Sequence, residues 1–281
     1  MRQYSNLTVN NSVLRQWWLP IRPNVSICVI VKLSVYLRAV GTKIVPDINS
    51  ALSKKEQVEN MFDGIAGKYD FLNRLLSFRI DVLWRNKVVN LLKASKPQHI
   101  LDVATGTADL AIALSRLQPA KITGLDLSNK MLEVGRVKVA DKHLNGMIEL
   151  VKGDSENLPF VDNTFDAVTV AFGVRNFENL EKGLKEIHRV LKPGGNFIIL
   201  EFSKVKTFPI KQFYHLYFSY ITPMIGKLFS KDNKAYSYLP NSVQVFPEGE
   251  EMCVILQTVG FKNTVCKPLS FGISSIYHSV K

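Results

Sequence analysis

Cysteine is scarce in this chain of 281 residues, which contains only Cys28, Cys253 and Cys266. None of the three forms a C-x-x-C pair with another, which is the close spacing that zinc sites use. A disulfide framework would need more cysteines at regular spacing. We therefore expect no disulfide framework and predict no metal site. Few, unpaired thiols are typical of a protein that works in a reducing compartment.

Long apolar runs are also missing, because no stretch reaches the eighteen or so apolar residues of a membrane-spanning helix. The nearest candidate begins at Ile27 and is interrupted by Lys32 and Arg38. Residues 1–26 precede it and include prolines, which argues against a signal peptide. We expect neither a membrane anchor nor a secretion signal in this segment.

Acidic residues are rare at the N terminus. Residues 1–50 hold six basic residues against one acid, Asp47, so they contribute +5 to a net charge of +12. A basic surface can favour nucleic acid, anionic lipid head groups or solubility, and charge alone does not separate these. Because the segment also lacks a clean apolar period, we predict that residues 1–50 form an extension outside the fold.

The rest of the chain has a regular organisation. Ser53 and Glu56 form a capping-box pattern that opens two helical segments, so residues 51–95 are predicted to be a helical cap. Five short apolar runs then alternate with helical patterns up to residue 202. Two more strand-like runs, at 261–269 and 273–280, follow a last helix. This order predicts an α/β fold with a doubly wound, mostly parallel sheet.

A ligand site is predicted at the first strand and turn, in the segment ILDVATGTADL. Gly106 alone remains of the usual glycine string, with Ala104 and Ala108 at the flanking places. Asp126 closes the second strand 20 residues later, the distance at which an acid reaches ribose hydroxyls. The crowded turn favours a nucleoside ligand without phosphates over a dinucleotide. The alternative is that Asp102 and Asp126 only end strands and cap helices.

A third acid, Asp154, follows the third strand. Its carboxylate is placed to lie beside an adenine, and Leu158 with Pro159 would supply an apolar wall. The bland alternative is an ordinary loop between a strand and a helix.

Together these segments resemble the S-adenosylmethionine-dependent class I methyltransferases. Over residues 55–281 the chain more closely resembles the ubiquinone and menaquinone biosynthesis C-methyltransferase family. The resemblance is carried by MFDGIAGKYDFLNRLLSFRIDVLWR, LDVATGTADLA, GDSENLPFVDNTFDAVTVAFGVRN, EIHRVLKPGGNFIILEFSK and SYLPNSVQVFPEGEEMCVILQTVGF. It implies a Rossmann-like, seven-stranded sheet with an antiparallel last strand, in a domain spanning 51–281 with a helical insertion at 204–240 after the fifth strand.

The resemblance also implies S-adenosylmethionine as the cofactor, bound at the ends of the first four strands. The residues assigned to it are Asp102, Gly106, Thr107, Asp126, Asp154, Ser155 and Ala171. Members of the family often carry a serine where this chain has Ala171, so a side-chain hydrogen bond is not expected there.

Arg175 and Asn176 follow the buried fourth strand directly. The resemblance implies that the substrate is a hydroquinone and that these two residues act on it. A ring carbon becomes nucleophilic when a phenol loses its proton, yet phenols titrate near pH 10. A fixed guanidinium would stabilise the phenolate, and an amide would orient a hydroxyl or a bridging water. The alternative is that Arg175 pairs with a carboxylate such as Asp154. Tyr69 is the third predicted catalytic residue, with Asp70 beside it as a proton acceptor; plain lid packing is the alternative for Tyr69.

The predicted insertion is rich in aromatic residues. They are Phe208, Phe213, Tyr214, Tyr217, Phe218, Tyr220 and Phe229. As a helical lid they would line a tunnel for a polyprenyl tail, although an aromatic stripe of this kind also suits an ordinary core. His215 in the same segment is a further candidate base.

The resemblance implies methylation of demethylmenaquinol to menaquinol, with the benzoquinol step of ubiquinone synthesis as the alternative. An RNA methyltransferase or RNA-binding protein that uses S-adenosylmethionine and a nicotinamide dehydrogenase are more distant alternatives. The aromatic segment has few basic residues, so no nucleic-acid partner is expected. A polyprenyl quinol partner implies peripheral contact with membrane lipid, at the inner face of the cytoplasmic membrane, by a cytoplasmic protein.

Overall fold

The computed structural model describes residues 44–216 and 234–281 of the chain. Most of the predicted N-terminal extension lies outside the described residues. So do residues 217–233 of the predicted insertion and the side chains at 213–215, including that of His215.

Seven strands form one sheet in the order β3-β2-β1-β4-β5-β7-β6. Their bounds are β1 His99–Val103, β2 Lys121–Asp126, β3 Ile148–Lys152, β4 Phe165–Ala171, β5 Leu191–Phe202, β6 Lys262–Leu269 and β7 Ser274–Val280. The first five strands pair in parallel, and β7 runs antiparallel to both β5 and β6. The predicted doubly wound sheet with an antiparallel last strand is therefore confirmed.

The helices fall between the strands as the apolar periods predict. Their bounds are α1 Lys54–Leu76, α2 Ile80–Leu92, α3 Asp109–Leu114, α4 Asn129–Asp141, α5 Leu180–Val190, α6 Ile210–Leu216, α7 Lys234–Val245 and α8 Glu250–Val259. At the start of α1 the Ser53 hydroxyl accepts from the backbone of Glu56, whose carboxylate accepts from the backbone N–H of Ser53 at 2.8 Å. This reciprocal pair satisfies two N–H groups that the first helical turn leaves free.

The first residues of β5 include Pro193, Gly194 and Gly195, and their pairing with β4 is irregular. Phe165 of β4 pairs with Leu191, but Ala167 two residues later pairs with Asn196. The extra residues of β5 form a bulge, which lets the strand begin directly after α5.

The core lies on both faces of the sheet because successive strand residues point to opposite sides. In β5, Ile199 packs under α5 and α8, whereas Ile198 packs under α2 and its neighbours. The helices therefore cover both faces of the sheet. Within 44–216 and 234–281, none of the helices combines the length and apolar character that a membrane crossing requires.

Candidate active site

A cavity of about 740 Å³, part of it open to solvent, lies at the carboxyl ends of β1 to β4. The loops after these strands form its floor, and Val58, Phe62 and Tyr69 of α1 form part of its wall. Of the predicted site residues, the cavity is lined by Tyr69, Gly106, Asp126, Asp154, Ser155, Ala171 and Asn176.

The turn after β1 has an unusual backbone. Ala104, Gly106 and Ala108 all have positive φ, at 54°, 55° and 64°. Glycine adopts this left-handed conformation freely, whereas each alanine bears a strain of roughly 1–2 kcal/mol. The alternating conformation curls the turn so that the backbone N–H of Gly106 points at the end of β2.

Asp126 at that strand end is the anchored acid of the site. Its Oδ2 accepts from the backbone N–H of Gly106 at 2.8 Å and its Oδ1 from that of Ser128 at 2.9 Å. Burial raises the pKa of Asp126, and these backbone donors oppose the rise. Because each carboxylate oxygen accepts more than one hydrogen bond, the group retains capacity for a vicinal diol in the cavity.

Three predicted site residues, Asp102, Thr107 and Arg175, are not among the residues that line the cavity. Asp102 is 1% exposed and accepts from the hydroxyls of Thr105 at 2.6 Å and Thr169 at 2.7 Å. Burial raises its pKa to about 6. Thr107, also buried, donates to Asp70 Oδ1 at 2.5 Å. Asp102 and Thr107, both predicted cofactor residues, therefore stabilise the turn after β1 from its buried side.

The Asp70 carboxylate is engaged on both oxygens. Besides the Thr107 hydroxyl on Oδ1, its Oδ2 accepts from Lys138 Nζ at 2.6 Å. These contacts tie α1 to the turn after β1 and to α4. A carboxylate held in this way is poorly suited to the role of proton acceptor that the sequence had suggested.

Asp154 pairs with Lys55 of α1, not with Arg175. Lys55 Nζ lies 2.5 Å from Asp154 Oδ2, and the other oxygen of Asp154 accepts from the backbone of Glu156 at 2.9 Å. Burial lowers the pKa of Lys55. The hydrogen bond to Asp154 and the negative charges of Asp154 and Glu156 raise it by more, so the net shift of the pKa is upward. The suggested Arg175–Asp154 pair was therefore wrong, and Lys55 is a cavity residue that sequence reasoning missed.

Arg175 is held by a buried acid on the neighbouring strand. Its Nη1 donates to Glu201 Oε1 at 2.7 Å and to the carbonyl of Phe172, and its guanidinium lies 5.5 Å from the ring centre of Phe202. The Arg175 side chain is 7% exposed and that of Glu201 is fully buried. Sequence reasoning missed Glu201, although an acid inside the apolar end of a central strand was a usable signal.

One atom of Arg175 has no partner. Among the described residues, its Nε is the sole buried side-chain nitrogen or oxygen that makes no hydrogen bond. Buried polar groups are nearly always paired, because an unpaired one costs about 1–3 kcal/mol. An unpaired donor at this position therefore points to a missing hydrogen-bond acceptor.

Asn176 and Tyr69 both line the cavity. Asn176 lies on the short 3-10 turn Val174–Asn176, and its Oδ1 accepts from the hydroxyl of Tyr238 at 3.2 Å. Burial raises the pKa of Tyr69, opposed in part by Asn73 and by the charge of Arg175. Tyr69 therefore stays protonated near neutral pH, and its hydroxyl remains available as a donor.

These features define a class of protein. A seven-stranded sheet with an antiparallel β7, an acid after β2 and a cavity at the carboxyl ends of the strands make the chain a Rossmann-like, S-adenosylmethionine-dependent methyltransferase. The fold is shared by a solved S-adenosylmethionine-dependent methyltransferase of Thermotoga maritima. That structure aligns with a TM-score of 0.54 and 20% identity over 79% of this chain and 99% of its own.

The particular family follows from sequence comparison. The sequence model of the ubiE/COQ5 methyltransferase family matches residues 50–281, and the chain belongs to this family. It is 50% identical to the demethylmenaquinone methyltransferase of Bacteroides fragilis over 240 residues, 85% of this chain and 98% of that one. It is 46% identical to the ubiquinone/menaquinone biosynthesis C-methyltransferase UbiE of Geotalea daltonii, over 81% of this chain and 97% of that one.

The predicted family, fold and cofactor are thereby confirmed. The roles of the individual site residues stay predictions.

Proposed function

We propose that the chain methylates a ring carbon of a polyprenylated hydroquinone and converts demethylmenaquinol to menaquinol. The name of the B. fragilis relative, which matches nearly end to end, supports this substrate. The G. daltonii relative, named for both quinones, keeps 2-methoxy-6-polyprenyl-1,4-benzoquinol as a second candidate.

The residues of the cavity fit S-adenosylmethionine, which when bound supplies an electrophilic methyl group on a sulfonium. Asp126 would accept from the ribose hydroxyls, and the small residue Gly106 leaves room beside them. Asp154 and Ser155 would face the adenine. No phosphate-binding glycine string is present, which agrees with a nucleoside ligand.

The unpaired Nε of Arg175 is the observation that carries the catalytic assignment. A guanidinium stays cationic at physiological pH, so Arg175 is a poor proton acceptor and a good partner for a developing phenolate. We assign its Nε–H to a ring oxygen of the quinol or to a water bound to that oxygen. Glu201 holds the guanidinium in place, so little reorganisation is needed as negative charge develops on the oxygen.

The proton balance of the reaction follows from these roles. The quinol hydroxyl would give its proton to water, and the resulting electron-rich ring carbon would take the methyl group. The new carbon–carbon bond would form as the carbon–sulfur bond of the sulfonium breaks, with its electron pair left on the sulfur of the neutral thioether product. The ring carbon then loses its own hydrogen as a proton, which restores the aromatic ring. Tyr69 would contribute a hydrogen-bond donor, because its raised pKa keeps the phenol protonated at neutral pH.

An aromatic wall supports a flat ring substrate. Phe172 lines the cavity, and its ring lies 4.5 Å from that of Phe202, which in turn packs edge-on against Trp84 at 6.2 Å. Offset aromatic packing of this kind is favourable and rigid. The prenyl tail would leave toward the insertion at 204–240, where Phe208 is 77% exposed. Peripheral contact with lipid at the inner face of the membrane belongs to the same proposal.

The test is a methyl-transfer assay with two reduced substrates. Purified protein, methyl-labelled S-adenosylmethionine and short-chain demethylmenaquinol should give a carbon-methylated naphthoquinol by mass spectrometry. The oxidised quinone is the matched control and should stay unlabelled, because its ring carbon is not nucleophilic. Labelling of the benzoquinol alone would move the assignment to the second candidate. Labelling of neither, with intact binding of S-adenosylhomocysteine, would refute the proposal.

A further inference from the structure

Tyr238 of α7 makes a buried contact with the candidate active site. The side chain is 3% exposed, and its hydroxyl donates to Asn176 Oδ1 at 3.2 Å. Asn176 itself lines the cavity on the turn after β4. A residue 62 positions later therefore contacts a polar side chain that lines the cavity.

This contact determines which end of the Asn176 amide is free. The carboxamide is planar, so a bond at Oδ1 also fixes the direction of Nδ2. Within the described part of the chain Nδ2 makes no hydrogen bond, and it is not a buried orphan atom. Its two N–H donors are thus left for a ligand.

Tyr238 is suited to act as a permanent donor. Burial raises its pKa to about 12, the charge of Arg175 opposes the rise and that of Glu201 adds to it. The phenol therefore keeps its proton throughout the physiological range, and the Asn176 oxygen remains its natural acceptor. With the amide reversed, the tyrosine oxygen would accept from Nδ2, and the buried phenol proton would lose its acceptor at Asn176.

We propose that Tyr238 is a positioning residue, which orients Asn176 so that its amide N–H groups donate to a ring oxygen of the substrate. That oxygen is then recognised as an acceptor, a phenolate or carbonyl oxygen, and not as a hydroxyl donor. Asn176 and Arg175 would approach the developing negative charge with donors only. The inference rests on the proposed function, because it names the group of the quinol that Asn176 binds.

Two substitutions separate orientation from chemistry. Tyr238→Phe removes only the hydroxyl that holds the amide, and we expect kcat/KM for the quinol to fall about tenfold, the scale of one net hydrogen bond. Asn176→Asp keeps the volume and the acceptor for Tyr238 but replaces the donors with a negative oxygen. We expect it to lower turnover by about a hundredfold or more. Affinity for S-adenosylhomocysteine should change less than about twofold in both.

Tyr277 provides the matched control. Its hydroxyl is also buried and accepts from the backbone N–H of Gly249 at 2.8 Å, in the core beside α8 and away from the cavity lining. Tyr277→Phe therefore removes a hydroxyl of the same kind and should lower the melting temperature with turnover unchanged.

The decisive measurement is the double variant Tyr238→Phe, Asn176→Asp. If Tyr238 acts through Asn176, the double variant should be no slower than Asn176→Asp alone, whereas independent roles would multiply the two losses. Full activity of Tyr238→Phe or of Asn176→Asp, with the wild type active, would overturn the inference and leave the proposed function standing. An inactive wild type would refute the proposed function and this inference with it. If Tyr238→Phe fails to fold, Asn176→Asp decides the orientation alone.

Discussion

The buried pair of Arg175 and Glu201 allows catalysis and stability to be measured apart. Their side chains are 7% and 0% exposed and meet at 2.7 Å. Arg175→Met removes the charge at similar length and leaves the Glu201 carboxylate buried without its cation. Breaking such a pair on one side costs about 3–5 kcal/mol. At roughly 2–4 °C per kcal/mol, the melting temperature should fall by about 10 °C.

A second substitution should return most of this stability. In the double variant Arg175→Met, Glu201→Gln no charge is buried, and neutral replacement of a buried pair is often close to neutral. The new amide oxygen at 201 can still accept from the backbone N–H of Phe202, which lies 2.9 Å from the present carboxylate. We therefore expect a melting temperature within a few degrees of the wild type.

Turnover should not return with stability. If the guanidinium stabilises the developing phenolate, both variants should be about a hundredfold slower at saturating cofactor and quinol. Arg175→Lys keeps the charge but loses the planar fork, so it should recover only part of the rate. Initial rates of methyl transfer and thermal melts on the same preparations are the assay. A double variant that regains both stability and near-normal turnover would refute the catalytic role of Arg175.

Three further changes are informative. Asp126→Asn should weaken S-adenosylhomocysteine binding about tenfold to a hundredfold in calorimetry, because the ribose loses a charged acceptor; unchanged affinity would contradict the assignment. Burial raises the pKa of Asp102 from 3.8 to about 6, so its ionisation opposes folding above pH 6 and this penalty disappears as the pH falls toward 4. Between pH 8 and 4 the free energy of unfolding of the wild type should therefore rise relative to that of Asp102→Asn by about 2.5 kcal/mol, and parallel denaturation curves would show that the group is not perturbed. Removal of residues 1–43, which precede the family match at residue 50, should leave melting temperature and cofactor affinity unchanged, and loss of either would place the segment within the domain.

Much of this protein follows from local sequence pattern. The alternation of apolar runs and helical periods predicted the doubly wound sheet, and Ser53 with Glu56 predicted the start of α1. Asp126 was identified by its distance from Gly106 alone, because a strand, turn and helix of standard length bring those two positions together. Each of these features depends on residues close in sequence, where backbone geometry leaves few choices.

The partners of the site residues depend instead on how distant elements pack. Arg175 meets Glu201 because β4 and β5 are neighbours in the sheet. Asp154 meets Lys55, 99 positions earlier, because α1 runs along the ends of the strands. No local period encodes such pairs, since the order of strands and the path of a covering helix decide which charges are buried together. The residue types at the site could therefore be read from the sequence, whereas the pairing of Glu201 with Arg175 and the contact of Tyr238 with Asn176 were decided by the tertiary structure.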